Sequence, residues 1–153
     1  MIAIIRFVAF VLMLTIAFVA SPSFAAPSSY ANASLPGMDF SNQNLAGANF
    51  SNATLTGSNF AGSNLTGAIF SNADLKGVSF KGATLIDARL TNASLDGADL
   101  TNANLTNADL TNANAPGAAL GGAVFTGAKL TNSGINPAPA AASPILTPPS
   151  QTV

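Results

Sequence analysis

The sequence predicts an all-β solenoid, a chain wound into four-sided coils of 20 residues each. Three observations predict it. A large apolar residue stands at almost every fifth position, and a turn-capable residue follows two places later. Phe and Leu also sort into separate columns when the chain is wrapped at 20 residues per coil.

The apolar series runs from Leu35 through Phe40, Leu45, Phe50, Leu55, Phe60, Leu65, Phe70, Leu75 and Phe80. It continues as Leu85 to Leu110 in steps of five, lapses at Ala115, and resumes with Leu120, Phe125, Leu130 and Ile135. A period of five fits neither the helix period of about 3.6 nor the strand period of 2. It fits a short extended segment followed by a corner. In Ala93-Ser94-Leu95-Asp96-Gly97, an extended backbone points Ala93 and Leu95 to one face and Ser94 to the other. Asp96 and Gly97 then turn the chain.

The neighbouring positions agree. Two places before each large residue the side chain is small, as at Ala48, Ala53, Ser58, Ser63, Ala68 and Ala73, with Met38, Gln43 and Val78 as exceptions. Two places after it stands Gly, Asn or Asp, from Gly37 and Asn42 through Asp87 to Gly127 and Asn132. These residue types tolerate positive φ best. Pro36-Gly37 and Pro116-Gly117 occupy the two central places of a type II turn. A low-complexity disordered tract would not supply large apolar residues at this regularity.

Three sides would give 15 residues per coil and four would give 20. At 20, Phe40, Phe60 and Phe80 form one column and Phe50 and Phe70 the opposite one. At 15 every column mixes ring and aliphatic chain, which forgoes ring-on-ring packing. Arg89, Asp109 and Lys129 then align as outward charges of alternating sign, and Lys76 lies beneath Asp96. The span 31–135 makes about five coils, a rod of about 24 Å at strand spacing.

Runs such as Ala98-Asp99-Leu100-Thr101-Asn102 and Ala103-Asn104-Leu105-Thr106-Asn107 resemble the pentapeptide repeat family. The resemblance covers about two thirds of the chain and implies a right-handed quadrilateral β-solenoid with Leu or Phe inward.

The ends differ from the repeat. Arg6 precedes an apolar stretch, Phe7 to Ala20, and small residues at Ser21-Pro22-Ser23-Phe24-Ala25 offer a cleavage site before Ala26. Residues 1–25 therefore read as a secretory signal peptide, and 26–30 as a short linker. Left uncleaved, residues 2–20 would anchor the chain in an inner membrane, the sole membrane association expected. Residues 136–153 form a tail rich in Pro and Ala, read as a disordered or extended segment. The expected location is periplasm, or thylakoid lumen in a cyanobacterium.

Composition excludes several functions. The chain has no Cys and no His, with five basic and six acidic residues for a net charge of -1. Without the signal, four basic residues (Lys76, Lys81, Arg89, Lys129) remain against six Asp, hence -2. Such a surface has no basic patch for nucleic acid. The acids are Asp39, Asp74, Asp87, Asp96, Asp99 and Asp109. Asp96 and Asp99 come nearest to a carboxylate pair, and Asp39, Asn59, Ser79 and Asp99 share an outward column. Asp and Asn in such places bond to turns and nearby backbone. Flat columns do not converge the six to eight oxygens that calcium takes. No catalytic, cofactor-binding or metal-ligating residue is assigned, and no cofactor is expected. The sequons at Asn32, Asn52, Asn64, Asn92 and Asn104 follow from the repeat.

The leading function is an exported scaffold or protein-interaction module with an unidentified protein partner. Relatives that bind DNA gyrase by imitating duplex DNA resemble strongly acidic cytoplasmic rods, which this chain does not. Ice or surface binding would draw on the hydroxyl column Ser51, Ser71, Thr91, Thr111 and Thr131, but no second flat rank of Thr accompanies it. Uncapped coil ends expose backbone, so a monomer or a weak end-to-end dimer is expected. Ala115 leaves a smaller side chain between Leu95 and Ile135.

Overall fold

The computed structural model describes residues 29–136. The signal peptide, or uncleaved anchor, expected over 1–25 lies outside the described residues, as does the tail from Pro137 onward. Among the described residues no helix is long and apolar enough to cross a membrane.

Each repeat builds the same local unit. The large residue opens a four-residue turn whose last N–H returns to its carbonyl, as in Ala48 to Leu45 at 3.0 Å and Ser63 to Phe60 at 3.1 Å, except that Met38 N–H bonds Ser58 Oγ at 3.1 Å and no such bond closes the Phe40 turn. The third residue of each turn has positive φ at every corner from Asn32 to Asn132, with Asn72 at 59° and Gly77 at 62°. A β-branched or bulky residue there would be strained, which accounts for the Gly, Asn or Asp at each corner.

Stacking then follows a register of 20. Parallel bridges join Asp39 to Asn59, Asn59 to Ser79 and Ser79 to Asp99, and each of the other three sides repeats the pattern. Every side makes three coil-to-coil bonds. The large residue donates upward (Phe40 N to Asn59 O, 2.7 Å), and so does the second corner residue (Asn42 N to Ala61 O, 2.9 Å). The outward residue of the next coil donates back (Asn59 N to Met38 O, 2.8 Å). The coil is thus four-sided.

The core is the inward ladder. The large residues from Leu35 to Leu110 are buried, together with the inward residues two places before them from Ala48 to Ala113. Phe40, Phe60 and Phe80 stack at 4.8 and 5.3 Å, and Phe50 and Phe70 at 4.9 Å with planes 2° apart. The two columns meet edge to face, for example Phe60 and Phe70 at 5.8 Å and 88°. Offset and edge-to-face geometries are the favoured ones for rings. Three small inward positions carry hydroxyls, each donating to a backbone carbonyl: Ser58 Oγ to Leu35 O at 2.7 Å, Ser63 Oγ to Phe60 O at 2.7 Å and Ser133 Oγ to Leu130 O at 2.9 Å.

The first coil starts earlier than the sequence indicates. Ser29 bridges Asn49, and Tyr30 stacks on Phe50 at 4.6 Å with planes 2° apart, so these two residues belong to the solenoid and not to a linker. Tyr30 stands on the five-residue beat, and its ring fills the same space as a Phe rung. Burial pushes its phenol pKa up to about 12. At the other end, Leu120, Phe125 and Leu130 are only half-buried, because no described coil lies above them. Ala115 remains buried beneath Ile135.

Candidate functional site

Function must reside in the outward side chains, since the inward ones are consumed by packing. Asp and Asn at the centre of each side have a structural duty. Their side-chain oxygen accepts the N–H of the residue two places on, the first corner residue. Asp39 takes Ser41 N at 3.0 Å, Asn59 takes Ala61 N at 3.0 Å, Asp99 takes Thr101 N at 2.9 Å and Asp109 takes Thr111 N at 3.0 Å. The coil ladder leaves that N–H unbonded, so a short polar side chain at this position stabilises every corner it serves.

These bonds set the carboxylates' acidity. The backbone and hydroxyl of Ser41 hold Asp39 below its ordinary value, helped by the Asn59 amide. The Thr101 hydroxyl and backbone N–H do the same for Asp99, with the positive charge of Lys81 nearby. Thr111 and then Lys129 lower Asp109. All three are stabilised as carboxylates, the opposite of what a general acid at neutral pH needs. Asp96 and Asp99, adjacent by sequence, are not brought into a pair: Asp99 is engaged by Thr101, and Asp96 is an exposed corner residue. Among the described residues no cluster of acidic side chains could hold a metal ion.

Among the described residues the outward charges form two ion pairs. Lys129 lies 3.7 Å from Asp109, along the column the sequence indicates. Lys76 lies 4.0 Å from Asp74, its neighbour on the same coil, although Asp96 sits above it in register. The shorter reach within the coil wins, and both pairs are exposed enough to contribute little.

One column was not evident as a unit from sequence. Asn32, Asn52, Asn72, Asn92, Asn112 and Asn132 occupy a single corner, and their carboxamides bond in an unbroken chain. Each Nδ2 donates to the Oδ1 below at 3.1 to 3.3 Å. Beside it runs the hydroxyl column, in which Thr91 Oγ1 donates to Ser71 Oγ at 2.9 Å, while Ser51 Oγ donates to Asn49 at 2.6 Å. Counting Asn at intervals of 20 would have revealed the column; its bonding required the register. The surface is therefore rigid, nearly neutral and regularly spaced, with no nucleophile beside a base among the described residues.

Comparison with known proteins agrees with this geometry. The family model described as pentapeptide repeats matches in eight copies, over residues 31–62, 44–85 and 103–133, more than half of the chain. A pentapeptide repeat protein of the Arabidopsis thaliana thylakoid lumen is 43% identical with a TM-score of 0.57, over 58% of this chain and 62% of that one. A pentapeptide repeat protein from the cyanobacterium Cyanothece 51142 is 25% identical with a TM-score of 0.53, over 67% of this chain and 86% of that one. HetL of Nostoc, a pentapeptide repeat protein involved in heterocyst differentiation regulation, is 27% identical with a TM-score of 0.53. That likeness covers 70% of this chain and 63% of HetL. The chain thus spans less than two thirds of the Arabidopsis and Nostoc proteins. No curated protein matches. The repeat, its corner chemistry and these likenesses converge on a right-handed quadrilateral β-helix, and the chain belongs to the pentapeptide repeat family.

Proposed function

We propose that the protein is an exported, non-enzymatic scaffold whose outward columns bind a protein partner. The observation that carries this reading is the state of the outward polar side chains. Asp39, Asn59, Asn64, Asn92 and Asp99 are among the groups bonded to corners or to one another, so this part of the surface is ordered before any partner arrives. A pre-ordered polar surface loses little side-chain entropy on binding. The same engagement leaves no side chain poised for catalysis.

Residues 1–25 act as the signal peptide in this reading. The likeness to a thylakoid-lumen protein supports export, to that lumen in a cyanobacterium or to the periplasm elsewhere. HetL's involvement in regulating differentiation supports action through interaction with other proteins. Proximity labelling in the native host tests both parts. Labelled lumenal or periplasmic proteins, with a reproducible partner among them, are expected. Labelling confined to the cytoplasm would sink the export reading, and turnover of a defined substrate would sink the scaffold reading.

A further inference from the structure

The two mouths of the rod are complementary in volume. At the C-terminal mouth Leu120, Phe125 and Leu130 are half-buried, and the inward residues beside them are the small Ala118, Ala123 and Ala128. At the N-terminal mouth the large rungs are buried, but the inward residues beside two of them are long: Met38 is half-buried and Gln43 exposed. One mouth is short of side-chain volume where the other has it in excess.

The backbones are complementary too. Within the rod the large residue and the second corner residue each donate an N–H to the coil above. The outward residue of that coil returns one to the carbonyl of the small residue. Among the described residues nothing receives the backbone N–H of Leu120, Gly122, Phe125, Gly127, Leu130 or Asn132. Nothing among them donates to the carbonyls of Ser34, Pro36, Asp39 and Ser41, or receives the N–H of Ser34 or Asp39. Unpaired edges of this kind are templates for another chain.

We propose that copies of this chain stack head to tail, the N-terminal mouth of one on the C-terminal mouth of the next, into an open-ended rod. The five-residue beat sets the register. Ile135 is the last buried inward residue and Tyr30 the first, so Tyr30 of the second copy takes the next place, above Leu120. Its Leu35 then lies above Phe125, its Phe40 above Leu130 and its Met38 above Ala128. Phe125 and Gly127 donate to the carbonyls of its Ser34 and Pro36, and Leu130 and Asn132 to those of its Asp39 and Ser41. Its Ser34 and Asp39 return their N–H groups to Ala123 and Ala128, as the inner coils do. All of these residues lie within 29–136.

Three outward columns select this register. The charges alternate as Arg89, Asp109 and Lys129, with Lys129 3.7 Å from Asp109. Asp39 of the second copy comes next. Its Ser41 follows Thr131 in the hydroxyl column, and its Asn42 follows Asn132, the last rung of the amide chain. Turned by one side either way, the copy would set Ser34 or Asn44 above Lys129, and Gly37 or Gly47 above Asn132. A half turn restores an asparagine, Asn32, but sets Ser29 above Lys129. Two C-terminal mouths face to face would bring no carboxylate to Lys129, since the outward residues there are Ala119, Val124 and Lys129 itself. A contact between unlike ends does not close on itself, so stacking continues.

Sedimentation of the full chain over a concentration series tests the proposal. Monomer, dimer and longer species should coexist and grow together with concentration. Met38→Asp places an unpaired charge in the contact and should weaken association by about tenfold or more, with circular dichroism unchanged. Lys129→Glu should weaken it several-fold at low salt, because two acids then meet across the seam. Asp39→Asn in that background should recover most of the loss, since Asn keeps an oxygen for Ser41 N–H and drops the charge. This charge pair decides the matter should Met38→Asp disturb the coil. A concentration-independent monomer would overturn the proposal. So would a dimer that never lengthens, which means like mouths meeting, or a Lys129→Glu loss that Asp39→Asn leaves untouched.

Discussion

The side-chain oxygen of Asn42 lies 2.5 Å from where a Cβ on Gly62, one coil above, would stand. Gly82, the next rung of that column, has no atom within 4 Å of the same position. Both glycines have positive φ, +66° and +64°. Gly82→Ala should therefore cost only the left-handed backbone penalty, about 1–2 kcal/mol. Gly62→Ala should cost more, and adding Asn42→Gly should bring it down to the Gly82→Ala level. Chemical denaturation of the cycle measures the difference; equal costs for the two single variants would show that Asn42 yields freely.

The carboxamide column separates two duties of one residue. Asn72 donates to Asn52, accepts from Asn92 and holds a φ of 59°. Asn72→Gly removes the two side-chain bonds but keeps the conformation easy, and should cost about 1 kcal/mol per bond at most. Asn72→Ala removes the same bonds and adds backbone strain, so its denaturation midpoint should be lower than that of Asn72→Gly. The reverse order would mean that the column, not the corner, needs the asparagine.

Ala115 is the one small residue in the inward series, buried between Leu95 and Ile135. Ala115→Leu should raise the thermal midpoint, since burying the larger side chain contributes about 1.5–3 kcal/mol. A lower midpoint would show that neighbouring side chains already fill the space, as overpacking is destabilising.

Stability should fall at both extremes of pH, for different residues. Asp39, Asp99 and Asp109 have folded pKa values below the ordinary 3.8. Their contribution is complete above that value and is lost as pH falls through the lower folded values. Thr101→Val should raise the Asp99 pKa toward 3.8, read by NMR titration. Tyr30 behaves oppositely, because its folded pKa of about 12 exceeds the ordinary 10.0. Its contribution is intact below pH 10 and drains between 10 and about 12. Tyr30→Phe should remove that alkaline loss, seen as a urea midpoint that no longer drops over the interval.

The inward half of the molecule was legible because burial imposes a period on residue type. Phe50 and Phe70 could be stacked on paper, and every corner could be marked by its Gly, Asn or Asp, since each obeys one steric rule. Tyr30 fell in the segment read as a linker, yet its ring packs on Phe50 as a Phe would. The outward half was less legible. Lys76 can reach Asp74 or Asp96, and only rotamer and corner geometry choose. The role of Asp99 as a corner acceptor was readable from its residue type, whereas the Asn column depended on knowing which amides face one another.

The register carries a further consequence for changes in chain length. The chain is built in fives, but each residue recognises its neighbour at twenty: Phe70 rests on Phe50, and Asn72 bonds Asn52. Losing a single pentapeptide between them would keep every large residue inward and every corner turned. It would also advance all later coils by a quarter turn, setting Leu75 on Phe50 and Gly77 beside Asn52. The solenoid thus has something like a reading frame in space. Deletions or duplications of five are frameshifts that fold tolerates and surface does not, and only a change of twenty leaves both in phase.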